Sequence, residues 1–257
     1  MTTLTKKIHS IDKLDHPFGI YITPYIVEEE SPRDLTLVDT CFTAELPKLI
    51  KHVEDEGYDI KNVKRLILTH THPDHVQAAN EVRRITGAKI YAHWLDAGFL
   101  RHDPPYHGPP THQMIGQMLE KLGFSEEQVL KKYGTMARDA VQVDYELSEG
   151  DRVGRLKVVH TPGHTPGHIS LYSEEDAALI GGDVLWDGVL GNEGLFVLQD
   201  VAIDPQICMI SARRISKLKF DKLLLAHQRR PLIDQHAPEA AAHAYATSLM
   251  GEKPTKS

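Results

Sequence analysis

The sequence has few cysteines, few aromatic residues and no long hydrophobic run. Its 257 residues include only two cysteines, Cys41 and Cys208, so no disulfide framework is predicted. No stretch approaches the roughly 20 apolar residues of a membrane-spanning helix, and the N-terminal segment lacks the apolar core of a secretory signal. These absences predict a soluble, cytoplasmic protein with reduced thiols.

The sequence also has fewer basic than acidic residues. The formal net charge is -7, whereas a broad nucleic-acid surface needs clustered Lys and Arg. We therefore expect a small-molecule substrate, with neither a nucleic acid nor a membrane as partner; the sequence leaves the oligomeric state open. The chain is long enough for a large core, and neither a repeat nor a linker divides it. A single domain over residues 1–257 is predicted.

Histidine, in contrast, is abundant, with sixteen in the chain and three in the stretch LTHTHPDH at residues 68–75. Imidazoles and carboxylates are costly to bury without partners, so metal binding explains this cluster better than packing does. Residues two apart in an extended segment point the same way, so His70 and His72 can bind one ion. A turn at Pro73 then lets Asp74 and His75 face a second ion.

The hydrophobic pattern predicts an α/β architecture. Strand patterns occur at residues 19–30, 35–40, 64–70, 88–94, 155–172, 177–186 and 221–227, and helical patterns at residues 46–53, 76–86, 205–218 and 238–250. Residues 95–146 interrupt this order with a proline-rich loop and two helical patterns. We predict a helical insertion there.

Three later strand ends carry further residues that can bind metal, namely His164, Asp183 and His227. A catalytic zinc takes three protein ligands and leaves one position for water, so a two-metal site needs more than the first cluster supplies. Each of the three also has a structural interpretation, as a turn histidine, a strand-end cap or an ordinary strand-end residue. The role of Trp186 is left open between core packing and pocket lining.

The order of these residues closely resembles the metallo-β-lactamase superfamily of hydrolases. The resemblance runs from near Asp39 to His227 and implies a four-layer αββα sandwich with the site at one edge between the sheets. It implies that Asp39 orients a ligand histidine; the alternative is that Asp39 is simply a turn residue. The ligands it implies are His70, His72 and His164 for a first metal, Asp74, His75 and His227 for a second, and Asp183 as the bridge.

This resemblance implies two divalent cations, with zinc as the first choice and iron or manganese as alternatives. Two cations lower the pKa of a bridging water, and the resulting hydroxide attacks a carbonyl carbon. Asp74 is the candidate catalytic residue, orienting the hydroxide and passing a proton to the leaving group. The predicted substrate is a small carbonyl ester, lactone, thioester or amide. The alternatives are a phosphodiesterase or nuclease, or a non-haem iron redox enzyme, of the same fold.

Overall fold

Two mixed β-sheets form the centre of the structure, a computed structural model that describes residues 2–3, 5, 7–11, 14–15, 21–102, 139–188, 194–198 and 202–228. The strands in these ranges are β1 (Thr2–Thr3), β2 (Ile8–Ser10), β3 (Leu14–Asp15), β4 (Tyr21–Ile22), β5 (Tyr25–Glu28), β6 (Leu35–Val38), β7 (Val63–Leu68), β8 (Lys89–His93), β9 (Tyr145–Leu147), β10 (Arg152–Val153), β11 (Leu156–His160), β12 (Ile169–Ser173), β13 (Ala178–Gly182), β14 (Trp186–Asp187), β15 (Leu195–Phe196) and β16 (Lys222–Leu225). The helices are α1 (Leu46–Asp55), α2 (Pro73–Val76), α3 (Ala79–Thr86), α4 (Trp94–Arg101) and α5 (Pro205–Ile215).

The described part of the chain contains a seven-stranded and a five-stranded sheet. The first has the order β1-β2-β5-β6-β7-β8-β9, and the second has the order β10-β11-β12-β13-β16. Strands β6 to β9 run parallel, and β13 pairs with β16 in parallel as well. Because parallel strands end at the same edge, the residues that follow β7, β13 and β16 can meet at one end of the sandwich.

Among the described residues, three hydrophobic clusters separate the layers. One joins the first sheet to α1, α3 and α4, a second fills the space between the sheets, and a third joins the second sheet to α5. Successive side chains of β7 point to opposite faces of the first sheet, so Leu66 and Leu68 belong to the first cluster and Ile67 to the second. The predicted four-layer αββα sandwich is confirmed.

The predicted helix over residues 76–86 divides into α2 and α3, and α3 ends at Thr86, followed by the capping residue Gly87 with a positive φ of 72°. Residues 155–172 form the antiparallel pair β11–β12, with His164 in the connecting loop. Within the predicted insertion, α4 and β9 are described; residues 103–138 and the predicted closing helix at 238–250 lie outside the described residues. Across the described ranges, no helix is long and apolar enough to cross a membrane.

Candidate metal centre

The seven histidines and aspartates singled out from the sequence meet at one edge of the sandwich. Four follow β7, in the connection to α2 and in α2 itself, and the other three come from the β11–β12 loop and the ends of β13 and β16. Both sheets therefore contribute to the site. The residues form two groups that could hold a metal ion, one of His70, His72, His164 and Asp183, and another of Asp74, His75 and His227.

The first group has the spacing of a small cation's ligands. Nδ1 of His72 lies 2.9 Å from Nε2 of His164, which lies 3.3 Å from Oδ2 of Asp183. Nε2 of His70 is 4.0 Å from the same oxygen. Ligand atoms arranged tetrahedrally around zinc at its usual bond lengths are about 3.3 Å apart. The four side chains therefore fit one ion.

The second group adjoins the first through Asp183. Oδ2 of Asp74 lies 3.2 Å from Nε2 of His227 and 3.5 Å from Nε2 of His75. Asp183 reaches the same two imidazoles, with Oδ1 3.4 Å from Nε2 of His75 and Oδ2 3.4 Å from Nε2 of His227. One carboxylate thus contacts both groups.

Unsatisfied polar atoms at the centre of the site support metal binding. Nε2 of His70, Nε2 of His75 and Oδ1 of Asp183 are buried without a hydrogen-bond partner in the described structure. Leaving such an atom without a partner costs about 1–3 kcal/mol. Each of the three can present a lone pair to a cation, so the residues present fit the group that they are predicted to bind.

The two groups differ in their protonation. Burial, reinforced by the neighbouring His164, lowers the pKa of His72 to about 3, and burial holds the pKa of His70 well below its usual value. Burial alone would lower the pKa of His227 too, but the carboxylate of Asp183 outweighs it and raises that pKa to about 9. His70 and His72 therefore offer neutral imidazoles, whereas His227 would have to release a proton for a cation to bind.

Asp39 orients histidines of both groups. Its Oδ2 accepts hydrogen bonds from Nδ1 of His75 and from Oγ1 of Thr69, each at 2.8 Å. Oγ1 of Thr69 in turn lies 3.0 Å from Nδ1 of His70. Fixing one ring nitrogen in this way directs the other nitrogen of each imidazole toward the centre. Asp39 has a φ of 60°, a conformation that aspartate tolerates better than most residues.

Two further hydrogen bonds position ligand residues from the second sheet. Nδ1 of His227 donates to the carbonyl oxygen of Tyr21 at 2.9 Å. His168 belongs to neither metal group; its Nε2 accepts the backbone N–H of Asp183 at 3.0 Å. His168, four residues after His164, therefore supports the backbone of Asp183, a candidate ligand.

Asp96 is a buried carboxylate that sequence reasoning missed. From the first turn of α4 it accepts hydrogen bonds from Oγ1 of Thr165 and from the backbone N–H of Gly167, both at 2.6 Å. These bonds hold the loop that carries His164. No local pattern reveals this role, because an aspartate in a first helical turn is common and its partners lie about 70 residues away in the sequence.

Comparison with known sequences points to one family. The profile of the metallo-beta-lactamase superfamily matches residues 19–227. The chain is 32% identical over 180 residues to an uncharacterized protein of Aquifex aeolicus, covering 68% of this chain and 71% of that protein. It is 31% identical over 152 residues to the hydroxyacylglutathione hydrolase GloC of Haemophilus influenzae, covering 57% of this chain and 60% of that protein.

Solved structures share the fold at lower identity. A metallo-beta-lactamase family protein of Thermus thermophilus, TTHA1429, superimposes with a TM-score of 0.70 at 22% identity, covering 96% of this chain and 82% of that one. The subclass B3 metallo-beta-lactamase BJP-1 of Bradyrhizobium japonicum gives a TM-score of 0.65 at 21% identity, covering 98% and 92%. The chain therefore belongs to the metallo-beta-lactamase superfamily and is a metal-dependent hydrolase.

Proposed function

We propose that this hydrolase binds two divalent cations and cleaves a small carbonyl substrate, with a thioester as the leading candidate among esters, thioesters, lactones and amides. The observation that carries the proposal is the position of Asp183, within 3.4 Å of nitrogens in both groups. A carboxylate shared in this way suits two neighbouring cations. Five imidazoles and two carboxylates favour zinc, with iron and manganese as alternatives.

When bound, the two cations supply Lewis acidity and make a water nucleophilic at neutral pH. His70, His72 and His164 would hold the first cation, and Asp74, His75 and His227 the second, with Asp183 between them. Asp74 is the candidate for moving a proton. Its Oδ2 lies within 3.5 Å of both imidazoles of the second group, where a carboxylate can take up a proton and return it to the leaving group.

The preference for a thioester comes from the relatives. Relatives from Haemophilus influenzae and Cereibacter sphaeroides carry the name hydroxyacylglutathione hydrolase. An acylglutathione is a thioester. The structurally similar lactamases are more distant in sequence. A net charge of -7 disfavours a polyanionic substrate, since binding one depends on neutralising its phosphates with Lys and Arg. The buried free cysteines Cys41 and Cys208 suit a reducing compartment, and we propose the cytoplasm.

Metal analysis and a substrate panel test this proposal together. Protein reconstituted with zinc should contain about two ions per chain, and kcat/KM should be far higher for thioesters, aryl esters or lactones than for bis(p-nitrophenyl) phosphate or RNA. One ion per chain after reconstitution would contradict the two-metal centre. A clear preference for the phosphodiester would establish the phosphodiesterase alternative instead.

Asp183→Asn tests the shared carboxylate directly. The substitution keeps the shape of the side chain but removes the charge that offsets two cations, so both metal content and turnover should fall. Asp221→Asn, on the exposed residue before β16, is the matched control and should leave both unchanged. Wild-type metal content in Asp183→Asn would remove Asp183 from the centre.

A further inference from the structure

His227 lies in a bend that follows the last strand of the second sheet. In the described part of the chain, β16 stands at the end of that sheet's strand order, and residues 226–227 form the bend. The backbone N–H of Ala226 donates to the carbonyl oxygen of Gly182 in β13 at 3.1 Å. The backbone groups of Leu225, one residue earlier, bond to side chains instead.

Two side chains bind the backbone of Leu225. The amide oxygen of Gln228 accepts its N–H at 2.8 Å, and the hydroxyl of Tyr25 donates to its carbonyl oxygen at 2.7 Å. The amide nitrogen of Gln228 donates to the same hydroxyl at 2.9 Å, which closes a ring of hydrogen bonds. Buried backbone groups need such partners. The ring therefore fixes the chain on both sides of His227.

Tyr25 brings this support from the first sheet. It begins β5, and it is 1% exposed in the cluster that fills the space between the sheets. Earlier in the same segment, the N–H of Thr23 donates to the carbonyl oxygen of Ala226 at 2.9 Å, and the carbonyl oxygen of Tyr21 accepts Nδ1–H of His227. Alternate residues of one segment thus contact successive residues of the other.

The Tyr25 hydroxyl is the contact in this support that depends on residue type. The other two bonds from the first sheet use backbone atoms, which most substitutions leave in place. Trp186 restrains His227 in a different way, because its buried indole stacks on the imidazole with ring centroids 4.0 Å apart. Stacking restrains the plane of the imidazole, whereas the hydroxyl restrains the backbone that carries it.

We propose that Tyr25 is a positioning residue for the second cation, because its hydroxyl and the side chain of Gln228 hold the bend that directs His227 toward Asp74. Nε2 of His227 lies 3.2 Å from Oδ2 of Asp74 in this arrangement. The inference rests on the proposed two-metal centre. The bend carries a candidate ligand of the second group only, so loss of the hydroxyl should weaken one zinc site and spare the other.

Stepwise zinc titration in competition with a chelator measures the two sites separately. His227→Ala identifies the step that belongs to the second group, because it removes a candidate ligand of that group alone. In Tyr25→Phe the same step should weaken about tenfold, while the other step stays within about twofold of wild type. Gln228→Ala should weaken the same step. The double variant should lose little more than either single variant, since each breaks the same ring.

Tyr58→Phe is the matched control for removal of a hydroxyl. The hydroxyl of Tyr58 lies 3.0 Å from Nε2 of His9 and donates to Oε2 of Glu28 at 3.0 Å, and neither partner is a candidate ligand. This variant should lose stability, as Tyr25→Phe does, but keep both zinc affinities. A merely structural role for Tyr25 would give the two variants the same zinc affinities.

Two results would overturn the inference. One is wild-type zinc affinity at both steps in Tyr25→Phe and Gln228→Ala, and the other is an equal loss at both steps, which would indicate general loosening of the fold. If Tyr25→Phe does not fold, Gln228→Ala decides, since Gln228 is only partly buried. Failure of the proposed function would look different, because wild-type protein would then bind a single zinc ion.

Discussion

His168 supports Asp183 through the backbone and not through the carboxylate. Its Nε2 accepts the N–H of Asp183 at 3.0 Å, and its Nδ1 lies 3.0 Å from the carbonyl oxygen of Thr161, to which it donates. This pair of bonds requires a neutral ring with its proton on Nδ1. Burial lowers the pKa of His168 well below its usual value, which keeps the ring in that form.

Replacing His168 should therefore weaken metal binding. In His168→Phe the N–H of Asp183 loses its acceptor, and we expect zinc affinity to fall about tenfold, the effect typical of losing a group that positions a ligand. Competition with a chromophoric chelator measures the affinity. His168→Gln, which can offer a carbonyl oxygen in place of Nε2, should recover part of the loss; equal affinities in all three proteins would contradict this role.

Asp39→Asn separates the charge at position 39 from the backbone conformation there. Asparagine also tolerates a φ of 60°, but its amide nitrogen cannot accept the Nδ1–H of His75. Zinc affinity should fall about 10- to 100-fold, and the lost hydrogen bond should cost the apoprotein about 1–3 kcal/mol in unfolding free energy. Asp39→Ala should lose the same affinity and, in addition, about 1 kcal/mol of stability through strain. Calorimetric titration and urea unfolding distinguish the two effects.

Asp96 and Thr165 should behave as one unit. Asp96→Ala and Thr165→Val each break the 2.6 Å hydrogen bond between the two side chains, at an expected cost of about 1–3 kcal/mol in unfolding free energy. Because the same bond is lost in both, the double variant should be less destabilised than the sum of the single variants. A strictly additive urea-denaturation cycle would show that the bond contributes nothing.

His93 should make the protein less stable in mild acid. Burial, aided by the stacked ring of His160, lowers the pKa of His93 to about 4, whereas the unfolded chain titrates near 6.5. Between these values the unfolded state binds a proton that the folded state does not, so stability is lost as pH falls from 7 toward 4. His93→Asn keeps an acceptor for the N–H of Leu95 at the start of α4 but cannot titrate.

Wild-type protein should accordingly lose about 1–2 kcal/mol more unfolding free energy than His93→Asn between pH 7 and pH 5. Urea unfolding at the two pH values measures the difference. His102→Asn, at the other end of α4, is the control, since asparagine suits its φ of 61°. Parallel curves for wild type and His93→Asn would show that His93 does not titrate between the two states.

The site residues themselves could be predicted because their types and positions carry the signal. His70, His72 and Asp74 stand within one short stretch, and His227 closes a run of buried strand residues. The strand ends converge through parallel pairing, a rule that applies to any such sheet. The strand order therefore predicted that these residues would meet at one edge, whereas the four-layer fold and the division of the ligands between two metals were implied by the resemblance to the metallo-β-lactamase superfamily.

The supporting contacts could not be predicted, since each depends on how distant segments approach in three dimensions. In the sequence, Thr69 is an ordinary threonine at the end of a strand. In the structure, its hydroxyl donates a hydrogen bond to the carboxylate of Asp39, a residue with a positive φ. Asp96 acquires its partners only when α4 packs beside the β11–β12 loop. Hydrophobic period and residue type encode the layers, but they do not encode which hydroxyl or amide a buried carboxylate will find.

The division of the ligands between the two sheets has a consequence for how the protein unfolds. The candidate ligands before residue 76 belong to the first half of the sandwich, and the candidates His164, Asp183 and His227 belong to the second. A cation held by both halves acts as a clamp that forms only after they have docked. Bound metal should therefore change the folding rate little and slow unfolding strongly. The metal-loaded enzyme should then be kinetically stable, with a half-life set by its slow unfolding rate.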